Sequence, residues 1–341
     1  MSLKKHDKEL IVISKFNYLI TLKKEAVSNL NLKHGDSIDV FISKLNVAEK
    51  PTYFINNGKI DLLFFIPDNT LKGSKIFVEE VNRLNESYLT ICSFHERGSA
   101  SQIEIKRFVD PYLFGKFLGQ LQAEGSKTFM DGLEFCNKSL SEHRDFVDFL
   151  YYLGIQKNKI FTKLDYHESI KNIKDEINKF ENFFSCKINY ISKSNKSRGG
   201  SGLKIIVRST LLSEIVNNSL HSLRKLLASQ KLNKEINFFA NGFLAKLLSG
   251  DGSFEIISKN RNVPQARLYI ADWNLDYLND YASIMSKYGF SPKINHKWKY
   301  VRSYCNDELA KKLLKMGAFD NNPNKNKLIS FIKSREKYNF H

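Results

Sequence analysis

Phe117-Leu118-Gly119-Gln120-Leu121-Gln122-Ala123-Glu124-Gly125-Ser126 and, further along the chain, Leu244-Ala245-Lys246-Leu247-Leu248-Ser249-Gly250-Asp251-Gly252-Ser253 are two versions of one pattern. Each is an apolar run with small residues inside it, closed by a carboxylate, a glycine and a serine. An internal repeat of this kind governs the reading of the whole chain and implies two related halves. On a helix Gly115, Gly119 and Ala123 share one face. In the second copy Gly242, Lys246 and Gly250 occupy the equivalent face, with Ala245 and Ser249 beside it. Faces built from Gly115, Gly119, Ala123, Ala245 and Gly250 let two helices approach closely. Packed together, the helices bring Glu124 and Asp251 side by side at two C-termini, where the helix dipole is already negative. Two acids so placed suit a hard divalent cation with oxygen ligands, Mg²⁺ or a similar ion such as Mn²⁺. Taken alone, either copy also reads as an ordinary amphipathic helix with a glycine C-cap.

Downstream of each copy the chain alternates strands and helices. After the second, Ser253–Lys259 and Ala266–Ala271 read as a hairpin, and a helix with Leu275, Leu278, Tyr281, Ala282 and Met285 on its apolar side ends at Gly289. Residues 292–304 read as another ribbon, with Lys293, Asn295, Lys297 and Lys299 on one strand face and Ile294, His296, Trp298 and Tyr300 on the other. After the first copy come a strand at 133–137, a helix from Ser141 to Gly154, a strand at 158–166 and a Lys- and Glu-rich helix from Ser169 to Phe184. The segments 187–193 and 203–208 read as a two-stranded ribbon, and a helix from Leu211 to about Ala228 closes this half. Residues 187–208 contain Lys187, Lys193, Lys196, Arg198, Lys204 and Arg208 and no acid, in a chain with 36 acidic residues. A basic ribbon of this shape fits the major groove of a duplex.

The pair of segments resembles the LAGLIDADG motif of homing endonucleases, over both nine-residue motifs and more loosely over residues 110–320. The motif's first acid is replaced by Gln122 and Ser249, and Lys246 stands where the family usually has a small interface residue. The resemblance implies an α+β fold: two pseudo-symmetric αββαββα half-domains, at 109–236 and 237–320, forming a β-sheet saddle over double-stranded DNA. It also implies site-specific, metal-dependent cleavage of both strands by a monomer, with Glu124 and Asp251 as metal-binding catalytic acids. Residues expected to contact DNA are Lys187, Lys193, Lys196, Arg198, Lys204, Arg208, Lys259, Arg261, Arg267, Lys293, Lys297 and Lys299. The same scaffold serves proteins that bind nucleic acid without cutting it, such as an intron maturase or a transcription regulator, and that alternative stays open.

Ahead of the repeat, residues 1–108 read as a β-rich domain. Strands at 10–14, 18–22 and 37–42, a short helix at 23–32 and the turn Lys33-His34-Gly35-Asp36 resemble the AbrB-type swapped-hairpin module over residues 9–45. Residues 60–66 and 87–92 read as further strands, and 93–104 as a loop. Residues 321–341 read as a polar tail with a short helix.

Composition agrees with a nucleic-acid partner. The 341 residues carry a net charge of +17 and are 42% hydrophobic, enough for real cores beside a surface that attracts polyanions. The four cysteines are scattered without a CxxC pair, so neither a zinc site nor a disulfide framework is expected. There is no HExxH and no GxxxxGK[ST]. No run reaches membrane-spanning length and no leader is evident, so a soluble intracellular protein of the cytoplasm or nucleoid is expected. The chain's two ends lack the residues that protein splicing requires. His143, His221 and His296 read as packing or surface residues; the resemblance also implies assisting basic residues near the acids, whose positions the sequence fixes poorly, with Lys225 and Lys312 as candidates.

Overall fold

The computed structural model describes residues 2–6, 9–13, 19–22, 48–93, 101–125, 132–184, 187–193, 201–229, 233–257, 264–320 and 322–338. The chain divides into two compact units, 1–46 and 47–341. In the first, β1 (Ser2–His6), β2 (Glu9–Ile13) and β3 (Leu19–Leu22) form an antiparallel sheet with β2 in the middle. The expected strands at 10–14 and 18–22 are present. The helix and third strand expected at 23–32 and 37–42 lie outside the described residues.

The second unit opens with two small sheets. One joins β4 (Ile55–Asn56) and β5 (Lys59–Asp61) to β9 (Phe108–Val109); the other is a meander of β6 (Ile76–Arg83), β7 (Glu86–Ser93) and β8 (Ser101–Lys106). Two expectations need correction here. The apolar run 60–66 is not one strand: Asp61 accepts the Leu63 N–H at 3.1 Å and starts a 3-10 turn over Leu62–Phe65, with Leu62, Leu63 and Phe65 buried. Within the expected loop 93–104, residues from Ser101 belong to a strand. It carries Ile103 and Ile105 towards the core and Gln102 and Glu104 away from it. These sheets pack on the rest of the unit. Glu214 accepts the Leu71 N–H at 3.0 Å, and Asn218 donates to the Phe65 carbonyl at 3.3 Å.

One stretch runs through α1 (Pro111–Glu124), β10 (Leu133–Asn137), α2 (Leu140–Leu153), β11 (Ile160–Tyr166), α3 (Ile173–Phe184), β12 (Tyr190–Lys193), β13 (Ser201–Val207) and α4 (Thr210–Ser229). The second runs through α5 (Lys234–Asp251), β14 (Gly252–Ile256), β15 (Ala266–Ala271), α6 (Leu275–Lys287), β16 (Lys293–Asn295), β17 (Tyr300–Cys305) and α7 (Asp307–Lys315), followed by α8 (Asn324–Tyr338). Their sheets are ordered β10-β13-β11-β12 and β14-β15-β17-β16. The expected ribbon of 187–193 with 203–208 is therefore not formed. β11 lies between the two strands, antiparallel to β13 and parallel to β12. The parallel pairing follows from α3, which carries the chain back across before β12 begins. The second ribbon is also shorter than expected: β16 ends at Asn295, and 296–299 form a turn with Lys299 at φ +53°. Residues 324–338 form a helix that buries Leu328, Phe331 and Ile332, with the Phe331 ring 5.8 Å from Phe254.

At the centre α1 packs on α5. Asp110 caps α1 by accepting the Leu113 N–H at 2.9 Å, with Pro111 in its first turn, and Asn233 caps α5 through the Ile236 N–H at 2.8 Å. The backbones nearly touch. A Cβ at Gly115 would lie 2.2 Å from the Phe239 carbonyl oxygen, one at Gly119 2.4 Å from that of Phe243, and one at Gly242 2.2 Å from that of Tyr112. At the acid end a Cβ on Gly250 would meet Ala123 Cβ at 2.4 Å. Around this seam lies a buried polar layer. Lys246, only 2% exposed, reaches α2 and gives its ammonium to both Glu142 oxygens at 2.7 and 2.8 Å and to Asp145 at 2.7 Å. Gly119 leaves room for this long side chain, since a Cβ there would stand 3.1 Å from Lys246 Cβ.

Two outcomes follow. Gly242→Leu places side-chain atoms inside the opposing backbone and is expected to cost about 3 kcal/mol or more. Lys246→Met leaves two acids beside an unpaired apolar stem and is expected to cost about 3–5 kcal/mol. Both are read as loss of the denaturation free energy in urea titrations.

Candidate acid pair and nucleic-acid interface

Both motif helices end in the same way. Gly125 (φ −76°, ψ 157°) and Gly252 (φ −92°, ψ 153°) are extended, and their N–H groups donate to the carbonyls of Leu121 and Leu248. These glycines are not left-handed caps. Their role is spatial: a Cβ would stand 2.4 Å from the Leu121 oxygen and 2.3 Å from the Leu248 oxygen. After Asp251 the chain turns straight into β14, with Gly252 paired with Ile270, and after Glu124 Gly125 is bridged to Phe135 of β10.

Glu124 lies against the last turn of α5. A Cβ on Gly250 would be 3.4 Å from its Oε1, which brings its carboxylate to the residue preceding Asp251. Both acids are half-buried. Burial pushes the Glu124 carboxyl up from the usual glutamate range, and the nearby Glu142 pushes it further. A cation would reverse both effects. Among the described residues no three His, Cys, Asp or Glu side chains converge as a metal cage.

The position of the motif's first acid also has a clear use. Gln122 is buried, accepts from Arg224 at 3.2 Å, and its amide lies 3.5 Å from Asp272. Arg224 in turn donates to Asp280 at 2.9 Å and stacks on Tyr277 at 3.7 Å. Tyr281 donates to Asp272 at 3.0 Å; burial holds its phenol well above the ordinary tyrosine range, with Asp272 and Asp251 adding to the effect. Lys225 and Lys312 are engaged with Asp280 and Glu308 at 3.3 and 2.8 Å. His143 is buried between the carbonyls of Ser139 and Leu203, at 2.8 and 2.7 Å, as a packing residue.

The exposed faces of the two sheets differ in character. On the first, Lys204 pairs with Glu134 at 2.8 Å and with Asp165 at 3.4 Å, and Lys193 with Glu168 at 3.5 Å. The acid-free segment 187–208 is thus flanked by acids from β10 and β11, which sequence order conceals. Arg208 is exposed beside the Phe161 and Tyr190 rings, and Lys187 is exposed. On the second sheet, strand pairing aligns Arg267 with Tyr304, Tyr269 with Arg302 and Ala271 with Tyr300. Lys293 lies across from Arg302. The alternate residues Leu268, Ile270, Val301 and Ser303 are buried. The result is a checkerboard of guanidinium and phenol, with Glu255 as an acid that accepts the Tyr269 hydroxyl at 2.8 Å. Arg267 donates to the Tyr304 hydroxyl at 3.2 Å and draws that phenol below its usual range. Lys297 and Lys299 sit in the turn beyond β16. Lys196, Arg198, Lys259 and Arg261 lie outside the described residues. Sequence reading missed Arg302, Tyr269 and Tyr304, and it placed Tyr300 and Trp298 on the face opposite the lysines, whereas the strand register puts Tyr300 beside Lys293 and Arg302 and the turn at 296–299 leaves Trp298 exposed; the signal was the alternation in 266–271 and 300–305.

No family model matches the chain, and no curated protein matches it. Among solved structures, the LAGLIDADG homing endonuclease I-GzeII in complex with its DNA target overlaps 67% of this chain and 91% of its own, at 15% identity and a TM-score of 0.33. The meganuclease I-SmaMI bound to uncleaveable DNA covers 66% of this chain and 88% of its own, at 14% identity and a TM-score of 0.30. The I-LtrWI LAGLIDADG homing endonuclease bound to target DNA covers 66% and 91%, at 14% identity and a TM-score of 0.32. Overlaps of that size carry no weight on their own; the local geometry has to bear it.

Glu124 yields a test of that geometry. A carboxyl raised by burial binds its proton more tightly folded than unfolded, so the ionised form costs stability at neutral pH. Glu124→Gln is expected to melt higher than the parent at pH 7. The gap should close as pH falls through the raised value towards the ordinary glutamate range, which thermal melts across that span would follow.

Proposed function

We propose that this chain is a site-specific double-strand DNA endonuclease of the LAGLIDADG type. One observation carries the reading: two helices cross with backbone in contact at Gly115, Gly119 and Gly242, and each ends in a carboxylate followed by a glycine that turns directly into a sheet. The halves would be related by a pseudo-twofold axis along that seam. In support, the order β14-β15-β17-β16 is repeated in the first half if the bridge at Gly125 stands for β14, with β10, β13 and β11 in the places of β15, β17 and β16.

In this reading the two exposed sheet faces lie along a duplex. Arg267, Arg302 and Lys293 neutralise phosphates on one side of the seam, and Arg208 and Lys187 do so on the other. The remaining described candidates, Lys193, Lys204, Lys297 and Lys299, extend the same surface. Glu124 and Asp251 would hold Mg²⁺ or Mn²⁺. Their all-oxygen donor set, and a carboxyl that burial makes unfavourable to ionise without a cation, fit such an ion. Bound there, the ion supplies Lewis-acid stabilisation of charge on the phosphodiester undergoing hydrolysis. The protein's own task is positional: the seam fixes the spacing of the acids, and the polar layer beneath, Lys246 with Glu142 and Arg224 with Asp280, keeps the helix ends rigid. Among the described residues no helix is long and apolar enough to cross a membrane.

The experiment is a cleavage selection on a randomised duplex library with Mg²⁺. The wild-type chain is expected to cut one long, partly asymmetric site, and the Glu124→Gln/Asp251→Asn double variant to bind that site without cutting it. Cutting by the double variant at the wild-type rate would refute the assignment of the acids; salt-sensitive binding without cutting by either would make the protein a non-cleaving binder. In the same system Arg302→Ala is expected to reduce the slope of log K against log salt by about 0.9.

A further inference from the structure

The chain has two tryptophans, and both are displayed on its surface: Trp273 is 78% exposed and Trp298 69%. Tryptophan is usually highly buried, so two at such exposure in adjoining loops call for a partner. The loops are tied together. Asp272 donates its N–H to the Lys299 carbonyl at 3.1 Å, which links the exit of β15 to the β16–β17 turn. Trp298 donates its N–H to Asn295 Oδ1 at 3.0 Å, and the Asn295 amide donates to the Tyr300 hydroxyl at 3.3 Å. Lys299 holds a left-handed φ of +53°, a conformation glycine would adopt at less cost. What the lysine adds is its ammonium, 4.7 Å over the Trp273 ring; Lys297 similarly lies 5.7 Å over Trp298.

Two facts fix where this corner stands. Along β15 and just beyond it, Arg267, Tyr269, Ala271 and Trp273 alternate with buried Leu268, Ile270 and Asp272, so Trp273 continues the row of Arg267 and Tyr269. Gly252 pairs with Ile270, which puts the exit of β15 next to the end of α5 at Asp251. Asp272 is also anchored from the other half, through Gln122 two residues before Glu124. The aromatic corner is therefore clamped to both motif helices.

From this we infer that Trp273 and Trp298, with Lys297 and Lys299 beside them, form an aromatic wedge that stacks on nucleobases of the bound duplex next to the acid pair. The inference rests on the duplex-binding reading above and deepens it. Its charge complementarity is direct. Lys297 and Lys299 lie over the rings, and Arg302 stands across from Tyr269 in the same row; the acids nearby are the buried Asp272, the exposed Asp276, the half-buried Asp251 and Glu255, which accepts the Tyr269 hydroxyl. Aromatic faces stack on any base, and inserted side chains of this kind kink a duplex where it must be opened. Trp273 and Trp298 act here as positioning residues.

Because no other tryptophan exists, emission of the full chain reports this corner alone. The experiment titrates the wild-type protein, without divalent cation, with an end-labelled mixed-sequence duplex long enough to span both sheets. Label anisotropy reports binding, and acrylamide quenching of tryptophan reports coverage of the wedge. Binding accompanied by a clear fall in the quenching constant is expected. Trp273→Ala is expected to weaken binding about tenfold, and Trp273→Phe to restore most of it. Binding with unchanged quenching would overturn the wedge while leaving the duplex-binding reading intact. Absence of binding would overturn both. Shielding that appears with protein concentration alone would make the corner a self-association surface and overturn the inference. Should Trp273→Ala fail to fold, the wild-type quenching result decides the matter.

Discussion

The structure depends on how closely α1 and α5 can approach. Backbone against backbone at Gly115, Gly119 and Gly242 leaves no slack in the seam, and the acids at its end inherit that rigidity. Side chains lining such a contact would separate the helices by several ångströms and move the two carboxylates apart. Close packing of this sort also gains little from apolar burial at the glycines themselves. The stabilisation comes from the ring of large residues outside them, such as Phe114, Phe117, Phe239 and Phe243, which close over the seam.

The polar layer explains how the halves are joined beyond the seam. Lys246 belongs to the second helix but satisfies Glu142 and Asp145 of the first half, while Gln122 belongs to the first and meets Asp272 of the second. Each helix thus plugs one side chain into the opposite half. Buried pairs such as Lys246–Glu142 and Arg224–Asp280 are costly to desolvate, and their geometry tolerates no shift in register. The lysine that looks misplaced in the motif is the element that makes this connection.

The crossing of the two motif helices and the strands at 266–271 and 300–305 were legible because local pattern sufficed. Small residues at helical spacing declare a helix crossing, and period two in 266–271 and 300–305 declares strands with one buried face. The first sheet was not legible in the same way. Nothing in 187–208 states that β11 will lie between its two strands, because the inserted α3 changes the connection rather than the pattern. The same distance in sequence hides Glu134 and Asp165 from Lys204. The run Leu62–Phe65 misled for a different reason: a short unbroken apolar run has no periodicity to reveal its backbone. The geometry of the acid pair was inferred from the motif, but its support by Glu142, Arg224 and Asp280 arises wholly from tertiary contacts.

The segment after α7 has a consequence for when the centre comes into being. Asn322 donates to the Ser249 carbonyl at 2.7 Å and Asn324 to that of Gly252 at 3.4 Å, straddling Asp251, while α8 lays Phe331 under β14. A nascent chain that has emerged only through α7 already carries both carboxylates, yet it lacks the two amides that secure the end of α5 and the ring that seats the strand beyond it. The packing around Asp251 is therefore complete only once residues 322–338 have docked.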